Sequence, residues 1–216
     1  MAAVAGAITP TFDTFTNLPG ATFGGHGIPT DPTAITRVGN LTLGLAATPR
    51  YTAGTLANNG AGTYFATPGV GLQAGLSTWN FDYYLSDPTG LGGAGMTYAL
   101  LYEFNPGVNT DSTQFGKINL TLGLTTGTKT LQDSQNLGFA YLGQSFWPSI
   151  TPAPGAFSAN ANGQYSFALI ASNNGVEVGR SAINVNVGKV PEPASLALFG
   201  LALLGLAGIS ARRKRN

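Results

Sequence analysis

Hydrophobic and polar positions alternate along much of this chain, and this alternation predicts β-strands. In the clearest case, STWNFDYYLS at 77–86, every second residue is large and apolar: Trp79, Phe81, Tyr83 and Leu85. A period of two places these residues on one face of a strand, toward a core. The other face carries Asp82 and Tyr84, and we expect it to meet solvent.

Similar patterns predict further strands at 41–45, 63–67, 96–104, 118–126, 137–143, 164–172 and 176–188. Asn174-Gly175 separates the last two segments and supplies the positive φ that a tight hairpin turn needs. About eight to ten short strands, with no convincing helix before residue 194, predict an all-β sandwich of jelly-roll or immunoglobulin-like kind.

Threonine, proline and glycine dominate residues 8–36, so we expect a loop-rich N-terminal segment at 1–36 and a β-sandwich domain at 37–189. The opening MAAVAGAITP has no basic residue, and its apolar stretch is too short for a signal peptide. Two interpretations stay open. Either an upstream apolar segment precedes this start, with cleavage near Ala7, or the start is an alanine-rich leader.

One hexapeptide, Asn-Leu-Thr-Leu-Gly-Leu, occurs twice, at 40–45 and at 119–124. An internal duplication would explain this, and so would two strands of one sheet with the same packing requirements. We favour the second explanation because the segments between the copies do not align. Both copies are therefore predicted to be strands.

Charged residues make up only 9% of the chain, against about 25% in a typical soluble protein. Residues 1–190 contain six basic and eight acidic residues, a formal charge of −2, and so offer no basic surface to nucleic acid. The chain has no cysteine, which excludes disulfides, cysteine-ligated zinc and a cysteine nucleophile.

Few residues suggest chemistry. His26 is the only histidine, and no Gly-x-Ser-x-Gly motif accompanies it, so we predict no catalytic residue, no cofactor and no enzymatic activity. A glycosidase pair formed by Asp82 and Glu103 is a weaker alternative, since exposed strand polarity explains both. Asn105, Asn109 and Asp111 are weak calcium candidates, together with Glu103 or Asp87, although turn formation explains them equally.

Aromatic side chains are candidates for stacking on sugar rings. Trp147, in the proline-rich stretch FWPSITPAPGAF, and Tyr84 are the residues that we propose for this role, and Tyr51 is a further candidate. Trp79 is instead expected in the core.

The C-terminal segment 190–216 has three parts. Pro191, Glu192 and Pro193 come first, and two prolines keep such a triplet out of a regular helix or sheet. An uncharged stretch of 18 residues follows, beginning at Ala194 and ending at Ala211, and as a helix it would span about 27 Å of a hydrocarbon core about 30 Å thick. The segment ends with a cluster of basic residues: Arg212, Arg213, Lys214 and Arg215. A transmembrane helix with a cytoplasmic C-terminus is predicted.

These three parts, in this order, resemble the PEP-CTERM sorting signal of Gram-negative bacteria. The resemblance implies that exosortase recognises Pro191, Glu192 and Pro193, that the helix crosses the inner membrane transiently, and that Arg212–Arg215 stop the transfer. It further implies an exported protein of the cell surface or extracellular matrix, associated with exopolysaccharide and biofilm. A carbohydrate-binding module of that matrix and, less favoured, a glycan-acting enzyme are the alternatives.

Overall fold

The computed structural model describes residues 7–25, 28 and 32–188, and these residues form two β-sheets. The first sheet contains β1 (Thr14–Thr16), β2 (Thr33–Val38), β3 (Leu41–Pro49), β6 (Trp79–Ser86) and β9 (Thr130–Gln135). The second contains β4 (Ala57–Asn58), β5 (Thr63–Ala66), β7 (Met96–Glu103), β8 (Phe115–Asn119), β10 (Ile150–Thr151), β11 (Gly163–Asn173) and β12 (Val176–Val187). The all-β prediction is confirmed.

Neighbouring strands lie in the order β1-β2-β3-β6-β9 in the five-stranded sheet and β10-β8-β7-β11-β12-β5-β4 in the seven-stranded sheet. All pairs are antiparallel except β5 with β12. The described residues thus hold twelve strands, not eight to ten. The additional ones carry little periodic signal, because β1, β4 and β10 have two or three residues and β9, TLQDSQ, has a single apolar side chain.

Large aromatic side chains fill the space between the two sheets. Phe81 of β6 stacks on Phe167 of β11 with ring centroids 4.6 Å apart, and Trp79 lies 5.6 Å from Tyr165. All four rings are buried, as predicted for Trp79. Full burial of one such side chain stabilises a fold by about 1.5–3 kcal/mol, so this aromatic layer holds the sheets face to face.

The N-terminal segment takes part in this structure. β1 lies within it, β2 begins at Thr33 rather than at residue 37, and Ile8, Leu18 and Phe23 are buried. Residues 17–25 lie across the outer face of the five-stranded sheet, where the backbone N–H groups of Thr22 and Phe23 donate to the Gln132 side chain. The proline- and glycine-rich composition therefore marks a covering segment.

Several of the strand predictions are confirmed. The β11–β12 hairpin spans the predicted segments, and its turn residues Asn174 and Gly175 have φ of 49° and 80°. The predictions at 118–126 and 137–143 were wrong. β8 ends at Asn119 and a 3₁₀ helix follows at Leu120–Gly123, while the second segment contains a 3₁₀ helix at Ala140–Gly143.

No helix within the described residues is long and apolar enough to cross a membrane. The predicted span from Ala194 to Ala211 lies outside those residues. The same is true of the Pro191–Pro193 triplet, the basic cluster at 212–215 and His26.

Candidate functional site

Two carboxylates, Asp82 and Glu103, lie on opposite sides of the molecule. Asp82 alternates along β6 with Phe81, which packs between the sheets, so Asp82 is on the outer face of the five-stranded sheet. Glu103 alternates along β7 with the core residue Tyr102, and is on the outer face of the seven-stranded sheet. Because facing sheets pack about 10 Å apart, these two cannot form the glycosidase pair considered above.

Asp82 is fully buried, and the prediction that it meets solvent was wrong. The covering segment 17–25 closes part of this outer face, at Gly44, Tyr84 and Gln132. Thr48 Oγ1 donates to Asp82 Oδ2 over 2.8 Å, while Oδ1 has no partner among the described residues. Burial raises the pKa of Asp82 to about 7, although the nearby hydroxyl groups of Ser134 and Thr48 oppose the shift.

Glu103 is also fully buried, which sequence alternation did not predict. Its Oε1 accepts the backbone N–H of Ser166 over 2.6 Å, at the point beyond Leu101 where the β7–β11 ladder ends. Burial raises the pKa of Glu103 to about 7, with Thr110 and Ser166 opposing. The carboxylate thus satisfies a strand N–H that has no carbonyl partner.

The weak calcium candidates take part in local turns. Asp111 accepts the hydroxyl and the backbone N–H of Thr113 and so caps a short 3₁₀ helix, and these two hydrogen bonds lower its pKa. Asn109 has a φ of 59°, and Asn105 donates to the carbonyl of Pro154. Among the described residues, no group of three Asp, Glu, His or Cys side chains could hold a metal, so Asp87, Glu103 and Asp111 do not converge.

The aromatic candidates differ in exposure. Trp147 is 48% exposed and lies beside Phe146, which is 68% exposed, with ring centroids 5.0 Å apart. Tyr84 is only 9% exposed, and its proposed role in sugar stacking is therefore wrong. The covering segment again gives the reason, since a Cβ built on Gly20 would lie 3.7 Å from the Tyr84 hydroxyl.

A second aromatic surface lies where β3 ends, and we call it the Arg50 ladder: Tyr51, Arg50, Phe139 and Tyr141. The guanidinium carbon of Arg50 is 4.5 Å from the centroid of the Tyr51 ring and 5.3 Å from that of Phe139. Phe139 in turn stacks on Tyr141 with centroids 5.8 Å apart. Both distances from Arg50 are within the range of cation–π attraction.

Neutral acceptors hold the Arg50 guanidinium in place. Nη2 donates to Gln73 Oε1 over 2.7 Å and to the Tyr51 hydroxyl over 3.2 Å, and Nη1 donates to Asn80 Oδ1 over 3.3 Å. The backbone N–H of Arg50 donates to the carbonyl of Thr78. These contacts fix both the direction and the plane of the side chain.

Asn136 anchors the loop that carries Phe139. It is fully buried, and its Nδ2 donates to Asn80 Oδ1 and to the carbonyls of Ser77 and Trp79. Its Oδ1 accepts the backbone N–H groups of Ser77 and Gly138. Neither Arg50 nor Asn136 could be identified from sequence, because most of their hydrogen-bond partners are 23 to 59 residues away and follow no local period.

Comparison with known proteins identifies the C-terminal segment. Residues 189–214 match the family model of the PEP-CTERM protein-sorting motif. No curated protein and no solved structure matches the chain. The recognition of the tail is thereby confirmed: the motif implies exosortase as processing partner, and export with membrane-associated sorting to the cell surface.

Proposed function

We propose that this chain is a non-enzymatic structural protein of the extracellular polysaccharide matrix. Exosortase cleaves it near Pro191, Glu192 and Pro193, after the segment from Ala194 to Ala211 has held it in the inner membrane. Arg212–Arg215 keep the C-terminus cytoplasmic during this step, and the β domain is left on the outer side. No nucleic acid takes part.

One observation carries the proposal: the last strand ends where the sorting motif begins. β12 ends at Val187, the N–H of Gly188 donates to the carbonyl of Ala66, and the motif match starts at residue 189. Cleavage near the triplet therefore removes none of the twelve described strands. The separation of Asp82 from Glu103 supports a role other than glycan hydrolysis.

Mass spectrometry of the mature C-terminus tests the processing step. The full chain is produced in a host with exosortase and in the same host without it. We expect loss of the basic C-terminal residues only when exosortase is present. A triple Pro191→Ala, Glu192→Ala, Pro193→Ala variant should keep its tail.

Pro154→Ala, at an exposed proline of the body, is the matched control and should be processed normally. If protein at the surface of the exosortase-containing host still ends in Arg-Arg-Lys-Arg, processing is contradicted. Fractionation of the matrix tests location independently: processed protein that stays with the cells after the polysaccharide is removed contradicts the matrix role.

A second candidate function is a carbohydrate-binding module. It is favoured by the exposed pair Phe146 and Trp147, because exposed adjacent rings present apolar faces that suit the C–H faces of sugars. Trp147→Ala should reduce retention of the protein on isolated matrix polysaccharide, while Leu72→Ala, another exposed apolar position, should not. Equal retention of wild type and Trp147→Ala removes this pair as the binding surface.

A further inference from the structure

Arg50 is a cation without an acidic partner in the described part of the chain. The ion pair found there joins Arg180 to Glu177 instead. Every polar contact of Arg50 is with a neutral side chain or, through its backbone, with a carbonyl. Arginine normally binds carboxylate or phosphate in this kind of fixed, planar setting. The positive charge of the ladder is therefore not neutralised by residues 7–25, 28 or 32–188.

Hydrogen-bonding capacity also remains around this charge. A guanidinium has five N–H donors, and Arg50 uses three of them. Its Nε is buried without an acceptor among the described residues. One Nη1 hydrogen, the Tyr51 hydroxyl hydrogen and the Gln73 amide are left as donors, and Tyr51 and Gln73 are exposed. A carboxylate is an acceptor-only group that such donors suit.

Tyr51 adds an apolar surface beside this charge. Arg50 covers one face of its ring, yet the residue is 64% exposed. The backbone of Tyr51 has a φ of 56°, a left-handed conformation that is uncommon for a bulky residue. Glycine would adopt it freely, so the fold holds a large ring on the surface against a backbone preference.

We infer that the Arg50 ladder binds an acidic polysaccharide through a uronic acid unit. The carboxylate of the sugar pairs with Arg50 and the donors of Tyr51 and Gln73, and the C–H face of its ring stacks on Tyr51. This inference rests on the proposed matrix function and names the class of polysaccharide. A neutral sugar would leave the charge unpaired, and a phosphate polymer would leave the exposed ring unused.

Calorimetric titration of the full chain, kept soluble in an uncharged detergent, tests this binding. Oligogalacturonate is the acidic probe, and maltooligosaccharide of equal length is the neutral one. We expect binding of the acidic probe only, weakened by added salt because charge attraction is screened. Arg50→Gln should reduce the affinity about tenfold or more, as expected for loss of a charged hydrogen bond.

Arg37→Gln is the matched control for net charge, since Arg37 is an exposed arginine of β2. It should leave the affinity unchanged, and Arg50→Lys should give an intermediate loss because lysine lacks the planar fork. Equal effects of Arg37→Gln and Arg50→Gln would show binding by overall charge and overturn the site.

Tyr51→Gly separates binding from folding. Glycine removes the stacking ring and relieves the left-handed backbone, so the variant should melt at the same temperature or higher and bind about three- to tenfold more weakly. Unchanged affinity in Tyr51→Gly excludes the ring from the site.

Three further outcomes overturn the inference: no binding of oligogalacturonate, equal binding of maltooligosaccharide, and equal binding of inorganic polyphosphate. If Trp147→Ala loses binding and Tyr51→Gly does not, carbohydrate recognition lies at Trp147. That result refutes the Arg50 ladder as the site and leaves the matrix function untouched. The proposed matrix function is judged separately, by processing and fractionation in cells.

Discussion

The hexapeptide Asn-Leu-Thr-Leu-Gly-Leu adopts two different structures in this molecule. At 40–45 it enters β3 of the five-stranded sheet, and all three of its leucines are buried. At 119–124 it leaves β8 and forms the 3₁₀ helix Leu120–Gly123, with Leu122 59% exposed. The expectation that both copies are strands was therefore wrong for the second, and the cause must lie outside the six residues.

The first copy has a strand on each side over most of its length. β2 pairs with it from Leu41 to Leu45, and β6 pairs from Thr42 onward. From Thr42 to Leu45 the backbone therefore lies between two ladders, which supply the partners that buried N–H and C=O groups require. The period of two then points Leu41, Leu43 and Leu45 into the core together.

The second copy loses its partners at its first residue. β7 pairs with β8 as far as Asn119, and the two-residue β10 reaches only Ile118. Side chains satisfy the next backbone groups instead: Asn119 accepts the N–H of Thr121, and the Thr121 hydroxyl accepts the N–H of Tyr98. Local capping thus replaces the ladder, and the chain turns.

The largest expected difference between the copies concerns their second leucine. Leu43 is fully buried between β2 and β6, so Leu43→Ala should lower the free energy of unfolding by about 2–5 kcal/mol. Leu122→Ala, at the matched position, should change it by less than about 0.5 kcal/mol. Urea unfolding of the full chain measures both values.

Similar losses for the two leucine variants would contradict the exposure of Leu122. Similar small changes would contradict the role of the first copy in the core. Retention of the circular dichroism spectrum at zero denaturant is the control that both variants start from the same fold.

Much of the fold could be predicted from sequence, because its long strands show their own period. β6, β7, β11 and β12 were located within about two residues, and the Asn174-Gly175 turn was identified from the preference of glycine for positive φ. Which side of a strand is covered could not be predicted. Tyr84 looked exposed because the segment that covers it is distant in sequence and has no period, and Asp82 on the same face is buried as well.

The matched glycines give the second prediction. A Cβ on Gly44 would lie 2.5 Å from Leu18 Cδ2 and 3.2 Å from Tyr84 Cβ, beneath the covering segment. Gly44→Ala should therefore lower the free energy of unfolding by about 1–3 kcal/mol through overpacking.

Gly123 has no atom within 4 Å of such a Cβ, and Gly123→Ala should be neutral or stabilising by up to about 1 kcal/mol. A truncating second change, Leu18→Ala, should recover part of the loss in Gly44→Ala. Absence of any coupling between Gly44 and Leu18 in this double-mutant cycle would show that segment 17–25 does not pack on β3.

The candidate site shows the same limit of sequence reasoning. Trp147 was identified from sequence because its proline-rich surroundings alone indicate an exposed ring, with no need to know which distant residues lie beside it. Of the Arg50 ladder only Tyr51 was a candidate, because the four members come from two loops about 90 residues apart and depend on Asn136 for their placement. Arg50 itself carries no signal in the sequence until the fold brings Phe139 beside it.

Threonine at the third position of each copy gives a smaller predicted difference. Thr121→Val removes the acceptor of the Tyr98 N–H, which is partly buried, and should lower the free energy of unfolding by about 1–2 kcal/mol. Thr42→Val lies within a strand with paired backbone, and should change it by less than about 0.5 kcal/mol, since valine suits strands. Thr121→Ser keeps the hydroxyl and should recover most of the loss. Failure of serine to do so would assign the effect to packing.

Asparagine at the first position gives the smallest expected effect and the most direct test of why the copies differ. Asn119→Ala removes the acceptor of the Thr121 N–H and should lower the free energy of unfolding by about 1 kcal/mol, whereas Asn40→Ala, at an exposed turn residue, should lower it by a few tenths. Hydrogen exchange sharpens this, because only Asn119→Ala should speed exchange at the Thr121 amide. If that amide exchanges as slowly as in the wild type, capping by Asn119 does not hold the 3₁₀ helix. The absence of a β10 partner beyond Ile118 must then account for the turn.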